Sequence, residues 1–175
     1  QTFTARMEKE IAYHLATTFK VGFVLDYFKT RDLKNNQSLT QKTRETLALK
    51  TGKPKFVYTH LVMPHLPYYF DSTGKPLPVD TLTESFGKNI PAFLNYLEYT
   101  NRELLRLVRD IRNNSPEPPV IILMSDHGFR EYSGPVNNIY QFYNLNAVCL
   151  PDSNYSKFYK GMTNVNQFRV IFNTT

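Results

Sequence analysis

The sequence has very little cysteine: Cys149 is the only one in 175 residues. An internal disulfide is therefore impossible, which excludes a disulfide-stapled scaffold. Cys149 lies in the apolar run 147–150, with no activating base or helix N-terminus near it in the sequence. We interpret it as a core residue rather than a nucleophile.

Long hydrophobic runs are also missing. No stretch approaches the roughly 18 apolar residues of a membrane-spanning helix, and no secretory signal pattern is present. The chain opens with Gln1 instead of Met. We therefore expect it to be part of a longer protein, whose own targeting segments this stretch does not reveal.

The chain has no concentrated block of one charge, although 21 Lys and Arg against 15 Asp and Glu give a net charge of +6. An anionic partner would explain this excess. The cations are scattered, however, and the densest group, Arg102 to Arg112, has the spacing of a polar helix face. Without a lysine-rich tail or a basic stretch interleaved with aromatic residues, we expect a solvated surface and no nucleic-acid partner.

What is present is a globular pattern, since apolar residues make up 41% of the chain. Helical periodicity predicts helices over residues 1–34 with a break near Gly22, then over 40–50, 86–112 and 165–172. A polar loop is predicted at 34–38 and a turn at 71–74. Short runs rich in β-forming residues predict strands at 55–63, 120–124 and 147–150, the first of them buried on both faces.

Apolar strands that alternate with helices are typical of an α/β fold with a mostly parallel sheet and helices on both faces. Such sheets place their chemistry in the loops that follow the strand C-termini. Residues 64–67 and 125–128 are two loops of this kind, and each contains a histidine.

Asp126 and His127 follow the predicted strand 120–124 directly. A carboxylate and an imidazole can both bind a divalent cation, and Gly128 allows the backbone to turn closely away. The alternative is an ordinary turn in which Asp126 caps the next segment. Spacing alone leaves both interpretations open.

His65 lies between Pro64 and Pro67, where two prolines forbid a continued central strand. A histidine held there can bind an anionic group or transfer a proton; alternatively, it is a loop residue that only packs. We expect His60, inside the predicted strand 55–63, to be a hydrogen-bonded core residue, and His14 to be structural.

The combination of KFVYTHLVMPHLPYYFD at 55–71 with VIILMSDHGFR at 120–130 resembles the sulfatase-like branch of the alkaline-phosphatase superfamily. That branch includes sulfatases, lipoteichoic acid synthases and phosphoethanolamine transferases. The order of strand, histidine loop, long helix and second strand is similar across residues 40–130. The Met-Pro-His-x-Pro loop is most similar to that of bacterial membrane-anchored sulfatase-like proteins.

The resemblance implies a role for each matching residue. Asp126 and His127 match the metal-ligand pair, which implies a divalent cation such as Zn, Mn, Ca or Mg. His65 matches the histidine that contacts the transferred sulfate or phosphate group, and His60 matches only loosely. Many relatives carry a further histidine or lysine soon after Asp-His-Gly; here Arg130 could replace it as an anion contact.

The resemblance also implies what the chain is part of. The family's nucleophile (Thr, Ser, or Cys converted to formylglycine) and an upstream acidic metal ligand are not recognisable here. We therefore expect a single-domain fragment, the C-terminal part of the catalytic domain, with a helical lead-in over 1–39 and the recognisable α/β part over 40–175.

The implied function is a metal-dependent hydrolase or transferase of sulfate esters or phosphoesters, inactive as this fragment alone. The alternative is a non-catalytic binding or structural domain with a degenerate site. By resemblance, the parent protein would act on the extracytoplasmic face of a bacterial inner membrane, tethered by N-terminal membrane helices outside this chain.

Overall fold

The structure is a computed structural model that describes residues 3–82, 89–130 and 136–173. Its helices are α1 (Phe3–Thr18), α2 (Gly22–Ala48), α3 (Ile90–Asn114) and α4 (Asn164–Phe172), and its strands are β1 (Ile121–Met124) and β2 (Asn146–Cys149). Single 3₁₀ segments lie at Val79–Thr81 and Asn138–Phe142. Among these helices none is long and apolar enough to cross a membrane.

The chain divides into two compact units. The described part of the first consists of residues 3–82 and 89–104, and that of the second of residues 105–130 and 136–173. In the first unit α1 packs against α2, where the Tyr13 and Phe28 rings meet edge to face with centroids 5.4 Å apart.

Helix α2 runs without a break through residues 34–38, so the predicted polar loop there is wrong. The reason is a tertiary contact. Asn36 is 5% exposed, and its side chain bonds both backbone groups of Val62: Nδ2 donates to the carbonyl at 2.9 Å and Oδ1 accepts from the N–H at 2.7 Å. Polar composition alone therefore does not distinguish a loop residue from one that anchors another segment.

Residues 55–63 form no strand in the structure, and the prediction that they are buried on both faces is also wrong. The Phe56 and Tyr58 side chains are 82% and 78% exposed. His60 is exposed as well, with its ring centroid 6.4 Å from that of Tyr58, so it is not the core residue that we expected. A strand needs a neighbour to pair with, and the described part of the chain places none beside this segment.

The first unit has an aromatic core. Tyr69 and Tyr96 are 2% and 1% exposed, and Leu82 completes the buried cluster. The Tyr69 hydroxyl donates to the Lys29 carbonyl on α2 at 3.0 Å. Burial, followed by the neighbouring Tyr69, raises the pKa of Tyr96.

The apolar periodicity of α3 identified its buried face only in part. Leu94 and Leu105, two of the apolar residues whose helical spacing predicts this helix, are 54% and 56% exposed, whereas Tyr96 and Thr100 are almost fully buried. Thr100 satisfies its hydroxyl by donating to the Tyr96 carbonyl at 2.8 Å, which allows a polar residue to lie in the core.

The predicted turn at 71–74 is confirmed. The Gly74 N–H donates to the Asp71 carbonyl at 3.0 Å, and Gly74 has φ 91°, a conformation that glycine adopts without strain. The Asp71 carboxylate accepts from the Thr73 hydroxyl, the Thr73 N–H and the Lys75 N–H at 2.7–3.0 Å.

The second unit contains the sheet. Strand β1 pairs antiparallel with β2, with Ile121 opposite Cys149 and Met124 opposite Asn146. The strands predicted at 120–124 and 147–150 are thus confirmed to within a residue, but the described residues contain only this two-stranded sheet, and the mostly parallel sheet is not confirmed. The side chains buried in this unit are Leu107, Ile121, Leu150, Gln167 and Ile171.

Candidate metal and anion site

The loop that leaves β1 is held by its first residue, Ser125. Its N–H donates to the Leu145 carbonyl at 2.9 Å, and its hydroxyl oxygen accepts from the Leu145 N–H at 2.8 Å. Its carbonyl accepts from the side-chain amides of Asn144 at 3.1 Å and Asn164 at 3.3 Å. The loop therefore starts from a fixed point tied to β2 and α4.

Gly128 closes the same loop. Its N–H donates to the Gln141 carbonyl at 2.8 Å. A Cβ at this position would overlap the backbone carbonyl oxygens of Tyr140 and Tyr143. The close backbone approach expected from Asp-His-Gly is thus present, and it requires glycine because backbone atoms cannot move aside cheaply.

Asp126 and His127 lie between these two anchors. The His127 Nδ1–H donates to the Gly128 carbonyl at 2.7 Å, which makes Nε2 the lone-pair nitrogen of the neutral ring. Nε2 lies 3.8 Å from Asp126 Oδ2, while the His127 N–H donates to Oδ1 at 3.1 Å. The imidazole side chain is 26% exposed and the carboxylate 87%.

This pair suits a cation. A separation of 3.8 Å lets a carboxylate oxygen and an imidazole nitrogen bind one ion at about 2.0–2.2 Å each. The bond from Nδ1 to a backbone carbonyl is the kind of contact that orients a metal-binding histidine. The set is incomplete, because across residues 3–82, 89–130 and 136–173 no three His, Cys, Asp or Glu side chains cluster to hold a metal.

Arg130, the predicted anion contact, follows two residues after Gly128. Its side chain is exposed and lines a shallow hollow together with Phe129, Val136, Asn137, Asn138 and Gln141. A guanidinium beside three side-chain amides offers several donors to an oxyanion.

His65 lies in the first unit, on an exposed bend between the buried residues Leu66 and Tyr69 and the extended segment before Pro64. The flanking bonds Met63-Pro64 and Leu66-Pro67 are both cis. The His65 Nδ1–H donates to the Leu66 carbonyl at 2.7 Å. As in His127, this makes Nε2 the basic nitrogen of the neutral ring.

The structure thus brings Asp126 and His127 together and places Arg130 on the same loop. Sequence reasoning missed the residues that position this loop, Asn144 and Asn164. They lie 19 and 39 positions after Ser125, and no local pattern marks an asparagine that bonds a distant carbonyl.

Comparison with known proteins gives one family. A family model described as Sulfatase matches residues 12–170, which is most of the chain and includes the loops of His65 and of Asp126 to Arg130. No curated protein and no solved structure gives a significant match.

Proposed function

Because the chain belongs to the sulfatase family of the alkaline-phosphatase superfamily, we propose that it is part of a metal-dependent hydrolase or transferase of sulfate esters or phosphoesters. At the family level, membership supports sulfate- or phosphate-ester chemistry and generally a divalent metal ion. The metal dependence of this particular chain is our proposal.

The observation that carries the proposal is the paired geometry of Asp126 and His127. Their Oδ2 and Nε2 atoms lie 3.8 Å apart, on a loop that both Ser125 and Gly128 fix. We assign these two residues as metal ligands. When bound there, a divalent cation would withdraw charge from a sulfate or phosphate oxygen.

We assign His65 as the residue that contacts the transferred group. With Nδ1–H held by the Leu66 carbonyl, the ring presents Nε2 in a defined tautomer. Protonated at Nε2, it would donate to an anionic oxygen and deliver a proton to the leaving group. Arg130 would add a permanent positive charge for the same class of anion.

We further propose that the nucleophile and at least one more metal ligand are not supplied by these 175 residues. A catalytic metal site usually has three protein ligands, so Asp126 and His127 alone do not complete one. Among the described residues no third ligand lies nearby. Cys149 is half-buried on β2 and remains a structural residue in this proposal.

Hydrolysis of an aryl sulfate and of an aryl phosphodiester with added Mn²⁺ or Zn²⁺ tests the proposal. We expect no turnover by the 175-residue chain. A longer polypeptide that supplies the nucleophile should turn over one of the two esters and lose this activity in Asp126→Ala and His127→Ala. Turnover by the chain itself, lost in Asp126→Ala, would contradict the missing nucleophile; full activity of the longer Asp126→Ala variant would contradict the metal role.

A second candidate is a non-catalytic sulfatase-fold domain that binds an anion without transferring it. The exposed Asp126 carboxylate and the two-ligand cluster favour this alternative. The coding sequence upstream discriminates between the two. An acidic residue near a strand end, with Ser, Thr or Cys at the start of a helix, supports the enzyme.

For the parent protein we propose the extracytoplasmic face of a bacterial inner membrane and attachment through segments outside this chain. The support is the resemblance of the Met-Pro-His-x-Pro loop to membrane-anchored members of the family. Protease accessibility of the parent in spheroplasts tests this placement, and protection from added protease would contradict it.

A further inference from the structure

The ladder between β1 and β2 ends in an irregular pair. Its register places Ser125 opposite Leu145, one pair beyond the last strand residues, and the Ser125 N–H donates to the Leu145 carbonyl at 2.9 Å. In a regular antiparallel pair of this kind, the two residues exchange both backbone hydrogen bonds. Here the Leu145 N–H donates at 2.8 Å to the Ser125 hydroxyl oxygen. A side-chain oxygen therefore occupies the place of a backbone carbonyl in the last pair.

The Ser125 carbonyl, which this exchange releases from the ladder, accepts from two side-chain amides. Asn144 Nδ2 donates to it at 3.1 Å, and Nδ2 of Asn164, the first residue of α4, donates at 3.3 Å. A carbonyl oxygen has two lone pairs, so two donors satisfy it. Asn164 is itself held, because its Oδ1 accepts from Asn146 Nδ2 at 2.8 Å. The released carbonyl is thus fixed in its new direction.

The direction of this carbonyl decides how the chain continues to Asp126. The Ser125 carbonyl and the Asp126 N–H belong to one planar peptide unit, so the whole unit turns out of the ladder. Had the strand continued, Asp126 and His127 would point to opposite faces of the sheet. In the structure Asp126 Oδ2 lies 3.8 Å from His127 Nε2. Leaving the strand at Ser125 is therefore what allows two consecutive residues to reach one ion.

We propose that Ser125 is a positioning residue of the metal site. It places its hydroxyl in the ladder, so that the amides of Asn144 and Asn164 hold its carbonyl and the chain leaves the strand one residue before the ligands. The inference rests on the proposed function, because it concerns how Asp126 and His127 are presented to the cation. Ser125 itself does not contact the ion.

Ser125→Ala and Ser125→Thr test the exchange without any metal. Alanine removes the hydroxyl, so the Leu145 N–H should recapture the carbonyl of residue 125 and make the pair regular. NMR measures this as a scalar coupling across the hydrogen bond, between the Leu145 nitrogen and that carbonyl carbon. We expect the coupling in Ser125→Ala only, since threonine keeps the hydroxyl. Its presence in the unsubstituted chain, or its absence in Ser125→Ala, would overturn the exchange.

The affinity of the same chains for Mn²⁺ tests the positioning role. Electron paramagnetic resonance measures free Mn²⁺ during the titration, and circular dichroism checks that each variant is folded. We expect Ser125→Ala to bind at least about tenfold more weakly and Ser125→Thr to bind within about twofold of the unsubstituted chain. Equal affinity in Ser125→Ala would overturn the positioning role alone. No binding by the unsubstituted chain would overturn the metal role of Asp126 and His127 as well.

The two amides provide a second set of variants in which the Ser125 hydroxyl stays in the ladder. Leucine has nearly the shape of asparagine but no donor, so Asn144→Leu combined with Asn164→Leu leaves the carbonyl without these partners. We expect Mn²⁺ affinity to fall at least about tenfold in the double variant and less in each single one. Asn166→Leu is the control, because the Asn166 side chain on the same helix donates to the Tyr159 hydroxyl. An equal loss in Asn166→Leu would overturn the specific role of the two amides.

Discussion

At the residue scale, Gly128 is the position where the loop of Asp126 and His127 tolerates no side chain. Backbone carbonyl oxygens of Tyr140 and Tyr143 occupy the space of a Cβ. These atoms belong to the segment that also accepts the Gly128 N–H. Any larger residue must therefore displace the segment that supports the site.

We expect Gly128→Ala to destabilise the protein by about 1–3 kcal/mol, as other overpacked substitutions do. Urea unfolding followed by circular dichroism measures the change. Gly22→Ala is the control, because nothing lies within 4 Å of its Cβ position at the start of α2. Equal stabilities of the two variants would show that the carbonyls are not close to Gly128.

The Asp71 carboxyl makes the stability of the turn at 71–74 depend on pH. The Thr73 hydroxyl, and next the Lys75 N–H, lower the pKa of its carboxyl from the ordinary 3.8. The pKa of Asp71 is lower in the folded than in the unfolded protein, so the carboxylate stabilises the folded turn above pH 3.8. This contribution disappears as the pH falls through the folded-state pKa.

We expect Thr73→Val to raise the pKa of Asp71 towards its ordinary value, because it removes the largest cause of the shift. Titration of the Asp71 carboxyl by NMR measures this directly. Ser72→Ala is the control, since the hydroxyl next to Thr73 makes no hydrogen bond to Asp71. An unchanged titration in Thr73→Val would contradict the assignment.

At the scale of elements, one side chain attaches the extended segment to α2. Asn36 meets both backbone groups of Val62 and is almost fully buried. Asn36→Ala removes two hydrogen bonds to the half-buried Val62, and at about 0.5–1.5 kcal/mol each we expect a loss of about 1–3 kcal/mol in the free energy of unfolding.

The neighbouring Asn35 provides the control for that substitution. Its side chain is exposed, so Asn35→Ala should change the unfolding free energy by less than about 0.5 kcal/mol. Thermal or urea unfolding compares the two. If both variants are as stable as the unsubstituted chain, Asn36 does not anchor the segment.

Sequence periodicity predicted those elements whose signal is local. The apolar run before Asp126 gives β1, and the run 147–150 gives β2 with a shift of one residue. The segment 55–63 has an equally strong β pattern, yet no other strand among the described residues pairs with it, and it forms no strand. Pairing is a property of two segments, so the pattern of one cannot ensure it.

Polar residues caused the other errors. The polar residues 34–38 predict a loop. Asn36 among them is nevertheless buried, because its side chain bonds the backbone of Val62, 26 positions away. Thr100 was not identified as a core residue of α3, although bonding to the Tyr96 carbonyl satisfies its hydroxyl. A polar side chain whose partner is distant, or lies one turn back, has no signature in hydrophobic periodicity.

At the scale of the whole molecule, motif order was more informative than composition. The Met-Pro-His-x-Pro and Ser-Asp-His-Gly loops, with a long helix between them, suggested the family that the match over residues 12–170 shows. The sequence also predicted the loop of Asp126 and His127 at the end of β1. It did not predict how Asn144 and Asn164 hold Ser125, because those bonds depend on tertiary structure.

The site at the end of β1 depends on one assignment above all, which is our proposal that Asp126 and His127 bind a divalent cation. Titration of the chain with substoichiometric Mn²⁺, followed by NMR, tests it most directly, because this paramagnetic ion broadens the signals of nearby nuclei. We predict that the amides of residues 126–128 broaden first, recover with EDTA, and stay sharp in Asp126→Asn. First broadening elsewhere in the chain, or the same broadening in Asp126→Asn, would contradict the claim.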